Sequence, residues 1–281
     1  MQPSIHICKH CGEQFEGDYC NKCGEKVYHD HHKTVGHLLE EAFHFITHFE
    51  GSFFKTLKTV FTRPGQLSYD YCKGVRKKYF KPISFFLLCV VIYLLFSPFE
   101  GLNMKLGTFM TPKYGFTWLS SPLVKQKMNS HTTDYKVIAE KYNKLSPKIS
   151  KIFLLIILPL MGALLYVLFF KQRQYYFDHF ILATEYASIW VTIKFILLPT
   201  IMLIAGTFNS NAVGFFDDSN WVLWIFINLF FLFILIMAFK HFYKQKWSWS
   251  ILKGIIFLFT FEIIIMRIYH YLLFLTVMLF I

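Results

Sequence analysis

Long apolar runs separated by short polar breaks dominate the chain beyond residue 81. Pro82 to Phe99, Ile152 to Phe170, Phe195 to Phe216 and Ser219 to Phe239 carry no charged side chain. A further run, Gly254 to Ile281, is broken only by Glu262, Arg267 and His270. A membrane-spanning helix needs about 20 mostly apolar residues. The pattern therefore predicts an all-α polytopic membrane protein with about five transmembrane helices, over 82–99, 152–170, 180–206, 221–239 and 250–278. The third is expected to begin near Phe180, which places Glu185 and Lys194 inside it. Residues 100–151 read as a lysine-rich, partly helical extracytoplasmic loop, with Asp134 to Leu145 as its best helix.

Ahead of the spans the period changes. Leu38, Leu39, Ala42, Phe43, Phe45, Ile46 and Phe49 recur at helical spacing, and Phe53, Phe54, Leu57, Val60 and Phe61 continue it past Gly51. Arg63-Pro64-Gly65 ends the pattern. Two short amphipathic helices are expected, suited to the membrane surface or to packing against the spans. The chain thus divides into a cysteine-bearing module with a histidine-rich linker (1–33), an interfacial and basic juxtamembrane segment (34–81) and a transmembrane domain (82–281).

Composition and charge agree with this. Hydrophobic residues make up 55% and charged residues 16% of the 281, against about 25% charged in a soluble domain. The formal net charge of +12 sits at span ends: Lys73, Arg76, Lys77, Lys78 and Lys81, then Lys171 and Arg173, then Lys240, Lys244 and Lys246. The segment 207–220 has Asp217 and Asp218 and no Lys or Arg. The positive-inside rule then predicts a cytoplasmic N-terminus and an outward C-terminus. The lysines of 100–151 argue the other way, but long loops follow the rule poorly. No cleavable signal peptide is expected, so the first span acts as its own insertion signal. Nucleic-acid binding is not expected, because no recognition helix or RNA-binding motif accompanies the charge.

The N-terminus reads Cys8-Lys-His-Cys11-Gly12 and Cys20-Asn-Lys-Cys23-Gly24. Each C-x-x-C-G unit is a metal knuckle, in which one turn aims two sulfurs at one ion and the glycine frees the backbone. Two knuckles supply four thiolates, the donor set of a closed, structural, tetrahedral zinc site. Two disulfides or a redox dithiol are the alternatives, and a cytoplasmic location disfavours the disulfides. Iron could substitute. Phe15 and Tyr19 are expected to cover one side of the module. His29, His31 and His32 read as solvated linker, with a second metal as the alternative. Glu40, His44 and His48 share a helix face. They read as the polar side of an interfacial helix, or less favourably as metal ligands, since Phe45 stands where a zincin motif needs Glu.

Cys8, Cys11, Gly12, Tyr19, Cys20, Cys23, Gly24, Arg63, Pro64, Gly65, Gly74, Arg76, Tyr79 and Pro82 form a longer pattern. It runs C-x-x-C-G, Y-C-x-x-C-G, an amphipathic stretch, R-P-G, then K-G-x-R-K-K-Y-x-x-P at the first apolar run. Over about the first 95 residues the pattern resembles a bacterial membrane family catalogued as domain of unknown function 3667. The resemblance implies a multi-pass protein of the bacterial inner membrane with an N-terminal zinc ribbon, and it implies no activity. Within the pattern Arg76 could grip a lipid phosphate bidentately; charge that only sets orientation is the equal alternative.

Ionisable groups inside a span are costly and often functional. Glu185, Lys194, Glu262, Arg267 and His270 form the candidate intramembrane network. Glu185 and Lys194 point to opposite faces, whereas Lys194 and Glu262 reach similar depth and are expected to pair. Arg267 and His270 share a face one turn further out. The leading functional reading is a membrane-anchored scaffold or sensor that binds a cytoplasmic protein partner through the zinc module. The alternative is a transporter or channel for an ion or small solute using the intramembrane charges. A lipid-modifying enzyme using His44, His48 or His179, with Tyr176 and Asp178 nearby, is least favoured, because no nucleophile or metal motif accompanies them.

Overall fold

The computed structural model describes residues 5–27, 52–96, 102–112, 115–131, 134–208 and 221–281. The first amphipathic helix with Glu40, His44 and His48, the linker histidines, and Asp217 and Asp218 lie outside the described residues. The chain divides into two compact units, Met1–Phe96 with Leu158–Leu258 and Ser97–Ile157 with Phe259–Ile281.

The first unit opens with a hairpin of β1 (Ile5–Ile7) and β2 (Gln14–Glu16). The strands are antiparallel, with Ile5 opposite Glu16 and Ile7 opposite Gln14. It continues with α1 (Phe53–Thr62), α2 (Gln66–Cys72) and α3 (Pro82–Phe96). It takes the C-terminal end of α6 (Tyr135–Phe169) and then α7 (Tyr176–Val191), which runs through a π-helical turn, Thr192–Leu197, into α8 (Leu198–Phe208). It closes with α9 (Trp221–Tyr243) and the start of α10 (Trp247–Ile264). The second unit comprises α4 (Leu106–Phe109), α5 (Thr117–His131), the N-terminal part of α6, the end of α10, a second π-helical turn Ile265–Tyr269, and α11 (His270–Phe280).

Among the described residues three helices are long and apolar enough to cross a membrane: Tyr135–Phe169, Tyr176–Phe208 and Val222–Tyr243. They correspond to the second, third and fourth expected spans. The expected first span is a helix of 15 residues, about 22 Å at 1.5 Å per residue, against a hydrocarbon core of about 30 Å. The expected fifth is helical from Trp247 but contains the π-turn and carries Lys253, Glu262 and Arg267. The helix expected over Asp134 to Leu145 is not separate. It is the first part of α6, which runs unbroken for 35 residues. Pro147 removes one N–H without glycine or a turn pair to redirect the chain, so loop and span fuse.

The lysine-rich segment 100–151 is more structured than a loop. Leu106 N–H donates to Asn143 Oδ1 at 3.0 Å, Ser120 Oγ donates to the Phe109 carbonyl at 2.9 Å, and Tyr269 OH donates to the Ser150 carbonyl at 2.8 Å. Phe109 packs against Tyr142 and Phe274, all three fully buried. These contacts give the second unit its own core.

In the first unit α7 is buried on every face from Phe177 to Val191 save Asp178, as befits a helix with an almost continuous apolar surface. Phe169 and Tyr243 stack face to face, 3.8 Å between centroids. Lys253 Nζ donates to the Leu168 carbonyl at 2.7 Å, satisfying an acceptor that the end of α6 leaves open.

The Arg63-Pro64-Gly65 turn locks α1 and α2 onto this core. Gly65 has φ +82°, and a Cβ there would meet the Ala238 carbonyl oxygen at 2.6 Å. The turn therefore needs glycine twice, for its left-handed conformation and for its approach to α9. His241 Nδ1 lies 2.8 Å from the Pro64 carbonyl; a carbonyl only accepts, so Nδ1 carries the proton. Gly65→Ala is expected to cost about 2 kcal/mol or more. Gly107→Ala, in open space with no positive φ, is the neutral control. Thermal unfolding of the two variants in detergent checks this, and equal midpoints contradict it.

Candidate functional site

The four knuckle cysteines converge. One Sγ from each of Cys8, Cys11, Cys20 and Cys23 lies within 4.8 Å of the others. Cys8 and Cys23 sulfurs are 3.4 Å apart, and Cys11 and Cys20 sulfurs 3.6 Å. Four sulfurs around one ion at about 2.3 Å stand about 3.8 Å apart along a tetrahedral edge. The arrangement can therefore hold a metal ion with only small adjustment.

The two knuckles share one backbone pattern. Cys8 N–H donates to the Glu13 carbonyl at 2.8 Å and Gly12 N–H to the Cys8 carbonyl at 2.9 Å. Cys20 N–H donates to the Glu25 carbonyl at 2.8 Å and Gly24 N–H to the Cys20 carbonyl at 2.7 Å. Both glycines are left-handed, at φ +77° and +68°, which is why each knuckle ends in glycine. The first knuckle caps the β1–β2 hairpin, and the second caps a shorter one closed by a Tyr19–Lys26 bridge. Phe15 is buried beside Cys8 and Cys20, with Val27 packed on them. Tyr19 does not share the cover expected of it. It is 57% exposed, with Lys26 over its ring.

The thiols are electrostatically unequal. Burial pushes Cys23 up to about 12, with the Cys8, Cys11 and Cys20 thiols adding to the rise. Burial raises Cys20 too, but the backbone N–H groups of Cys23 and Lys22 outweigh it and bring it to about 7. Four thiolates this close repel one another, and a cation at their centre removes the conflict.

This module is not a free arm. Glu25, 5% exposed, follows the second knuckle and spends its carboxylate on the basic segment. Arg76 N–H donates to Glu25 Oε1 and Lys77 N–H to Oε2, each at 2.9 Å. Lys77 Nζ also donates to the Cys23 carbonyl, and the Lys9 side chain lies against Gly74. The K-G-x-R-K sequence is thus the seam on which the cysteine module docks. The Arg76 guanidinium lies over Tyr71, 4.6 Å from the ring centroid, with Phe177 at 6.0 Å. Burial holds it well below its ordinary value, to about 9, and Glu25 opposes that.

Glu185 makes a second clamp. Its carboxylate, 1% exposed, accepts from Gly65 N–H at 2.7 Å and Ser68 N–H at 2.9 Å, and from the Ser68 hydroxyl. Gly65 is the N-cap of α2 and has no side chain to cap with. Glu185 supplies the cap from another helix. Asp70 secures the next stretch, accepting from Gln66 Nε2 at 2.7 Å and from Lys78 Nζ and Tyr79 OH at 3.0 Å each.

The remaining members of the candidate network, Lys194, Glu262, Arg267 and His270, each have their own surroundings. Lys194 sits in the first π-turn, its Nζ 5.5 Å from the centre of the Trp190 ring. That turn ends at Leu197, two residues before Pro199, which offers no N–H to the Phe195 carbonyl four residues back. Arg267 sits in the second π-turn, exposed, with Phe116 at 5.8 Å. His270 is 5% exposed beside Tyr269. Arg267 is exposed and His270 buried, so the two do not share surroundings. Glu262 is half-buried in the second unit and Lys194 lies in the first; their pairing stays an expectation. Asp178 pairs with Arg173 at 2.9 Å. His179 Nε2 meets the Arg173 carbonyl at 3.1 Å and Nδ1 the Tyr243 hydroxyl at 2.7 Å. Both ring nitrogens are engaged in holding the bundle together.

Sequence reading alone missed Glu25, Asp70 and His241. Glu25 follows its knuckle directly and was the most legible. The other two act through partners far along the chain.

A family model described as "Protein of unknown function (DUF3667)" matches residues 50–94, the stretch from just before α1 through most of α3. No curated protein and no solved structure matches the chain.

Removing the Glu185 carboxylate strands two buried N–H donors and a hydroxyl. Glu185→Ala is expected to cost on the order of 3 kcal/mol, and Glu185→Gln less, since its amide keeps one acceptor. Lys171→Met, at an exposed position, is expected to be neutral. Detergent-extracted folded yield and thermal midpoints rank the three; a Glu185→Ala yield equal to that of Lys171→Met sinks the capping role.

Proposed function

We propose that the chain is a multi-pass protein of the bacterial inner membrane with a cytoplasmic N-terminus, and that it acts as a membrane-anchored scaffold or sensor. One zinc ion bound by Cys8, Cys11, Cys20 and Cys23 folds the N-terminal ribbon, and the ribbon presents its outer surface to a cytoplasmic protein partner. The observation that carries this reading is the docking of Glu25 on the backbone of Arg76 and Lys77. A module with so small a core takes most of its folding energy from the metal. Metal occupancy is then coupled to the segment through which the chain enters α3. A site with four cysteine ligands has no open coordination position, so its part is structural.

A second reading, a transporter or channel, has one observation in its favour: Lys194 and Arg267 each occupy a π-helical turn, a feature often found at functional sites. Unchanged flux through a folded Lys194→Met variant would remove it.

Limited trypsin digestion of the full chain in detergent tests the first reading. The metal-loaded protein is expected to resist cleavage after Arg76, Lys77 and Lys78. Stripping the metal with a chelator, or replacing Glu25 by Ala, is expected to open those sites. The same cleavage pattern in all three states refutes the coupling. Elemental analysis is expected to give one zinc per chain, lost in Cys20→Ser.

A further inference from the structure

The same segment also borders an open, concave cavity of about 500 Å³ lined by Lys55, Lys58, Thr59, Thr62, Arg63, Gln66, Lys78 and Tyr79. Its size falls in the range of small-molecule sites. Its walls come from the polar face of α1, the Arg63 turn, the first residue of α2 and the end of the basic segment.

The helix geometry explains the concentration of charge. In α1 Thr56 and Val60 are buried, and Lys55, Lys58, Thr59 and Thr62 recur at three- and four-residue spacing on the other side. Thr59 and Thr62 spend their hydroxyl protons on the Lys55 and Lys58 carbonyls, at 2.8 Å each. Gln66, Lys78 and Tyr79 donate to Asp70. Lys55, Lys58 and Arg63 are exposed, and among the described residues no carboxylate pairs with them. No carboxylate lines the cavity among those residues either. The nearest acid in the network, Asp70, is already shared by three donors. Four cations therefore converge on a concave surface with one acid behind them.

From these observations we infer that this cavity is a binding site for a phosphate-bearing anion. Arg63 offers the planar fork that matches two phosphate oxygens, and Lys55 and Lys58 supply point charges at either side. The site lies where the chain passes from Lys78 and Tyr79 into the apolar helix at Pro82, a transition at which tyrosine and lysine meet lipid headgroups. The source of the anion is an acidic phospholipid headgroup or a free phosphate; the chemistry of recognition is the same. Charges that only set topology need no cavity. Arg76, held over Tyr71, takes no part in this lining. The proposal does not depend on the zinc ribbon, so loss of metal leaves it standing.

The test uses the full metal-loaded chain in detergent. Binding is measured by titrating in phosphatidylglycerol, phosphatidylcholine or inorganic phosphate and following thermal stabilisation. Phosphatidylglycerol is expected to stabilise and phosphatidylcholine not. Lys58→Gln/Arg63→Gln is expected to weaken binding on the order of tenfold or more. Lys55→Arg/Lys58→Arg, and Lys141→Gln/Lys144→Gln in the second unit, are expected to bind as the wild type does. All substitutions are at exposed positions, and the unliganded midpoint reports whether each variant folds. Stabilisation by inorganic phosphate with the same variant dependence supports the site and assigns it a free anion. Stabilisation by phosphatidylglycerol alone supports it and assigns a lipid. Equal response to both lipids, or full binding by folded Lys58→Gln/Arg63→Gln, overturns it.

Discussion

The first unit depends on one buried carboxylate. Glu185 sits in the buried middle of α7 and turns its charge to backbone donors 117 and 120 residues earlier in the chain. A lone carboxylate there is expensive, and three donors on its two oxygens offset that cost. The Arg63-Pro64-Gly65 turn can form only beside such a partner. Its glycine is required by the left-handed backbone and by contact with Ala238, and glycine brings no cap of its own. Turn and carboxylate are therefore one structural device split between distant parts of the sequence.

Glu25 repeats the arrangement at the other end of the same stretch. It too is buried and gives each carboxylate oxygen to a backbone N–H, here of Arg76 and Lys77. Between these two clamps lie α2 and the basic segment, which the matched family region contains in full. The side chains in this region that could be read as orientation charges have structural tasks as well. Lys77 reaches the Cys23 carbonyl, and Lys78 is fixed by Asp70. Arg76 contributes its amide to the seam and its guanidinium to the Tyr71 ring.

The parts legible from sequence were those set by local spacing. The two knuckles, the helix from Phe53 and its stop at Arg63-Pro64-Gly65 depend on residues within one or two turns, and they stand where their spacing put them. Three of the five apolar runs form helices of spanning length. Other features follow from partners that local spacing cannot reveal. Glu185 looked like a membrane charge because its partners are far away in the chain. The fusion of loop and span into α6 turned on Pro147 being tolerated within one continuous helix. Tyr19 shows the limit in miniature: its place beside a knuckle was clear, but the bridge to Lys26 turns it outward.

The ribbon seam and the basic cavity share a single strand of chain. Asp70 accepts Val75 N–H at 2.9 Å through its carbonyl, while its carboxylate holds Lys78 and Tyr79 at the cavity wall. Arg76 and Lys77, which Glu25 grips, lie between these contacts. Phe80 N–H then donates to Thr56 Oγ1 at 2.7 Å, tying the strand back to α1 and its lysine face. Residues 77–79 are turned, and hydrogen bonds at Arg76, Lys77, Lys78, Tyr79 and Phe80 hold the stretch in place. Lys78 and Tyr79, which line the cavity, directly follow the two residues that Glu25 grips. The seam contacts of the cysteine ribbon and the cations that line the cavity are thus carried on neighbouring residues of one stretch of chain.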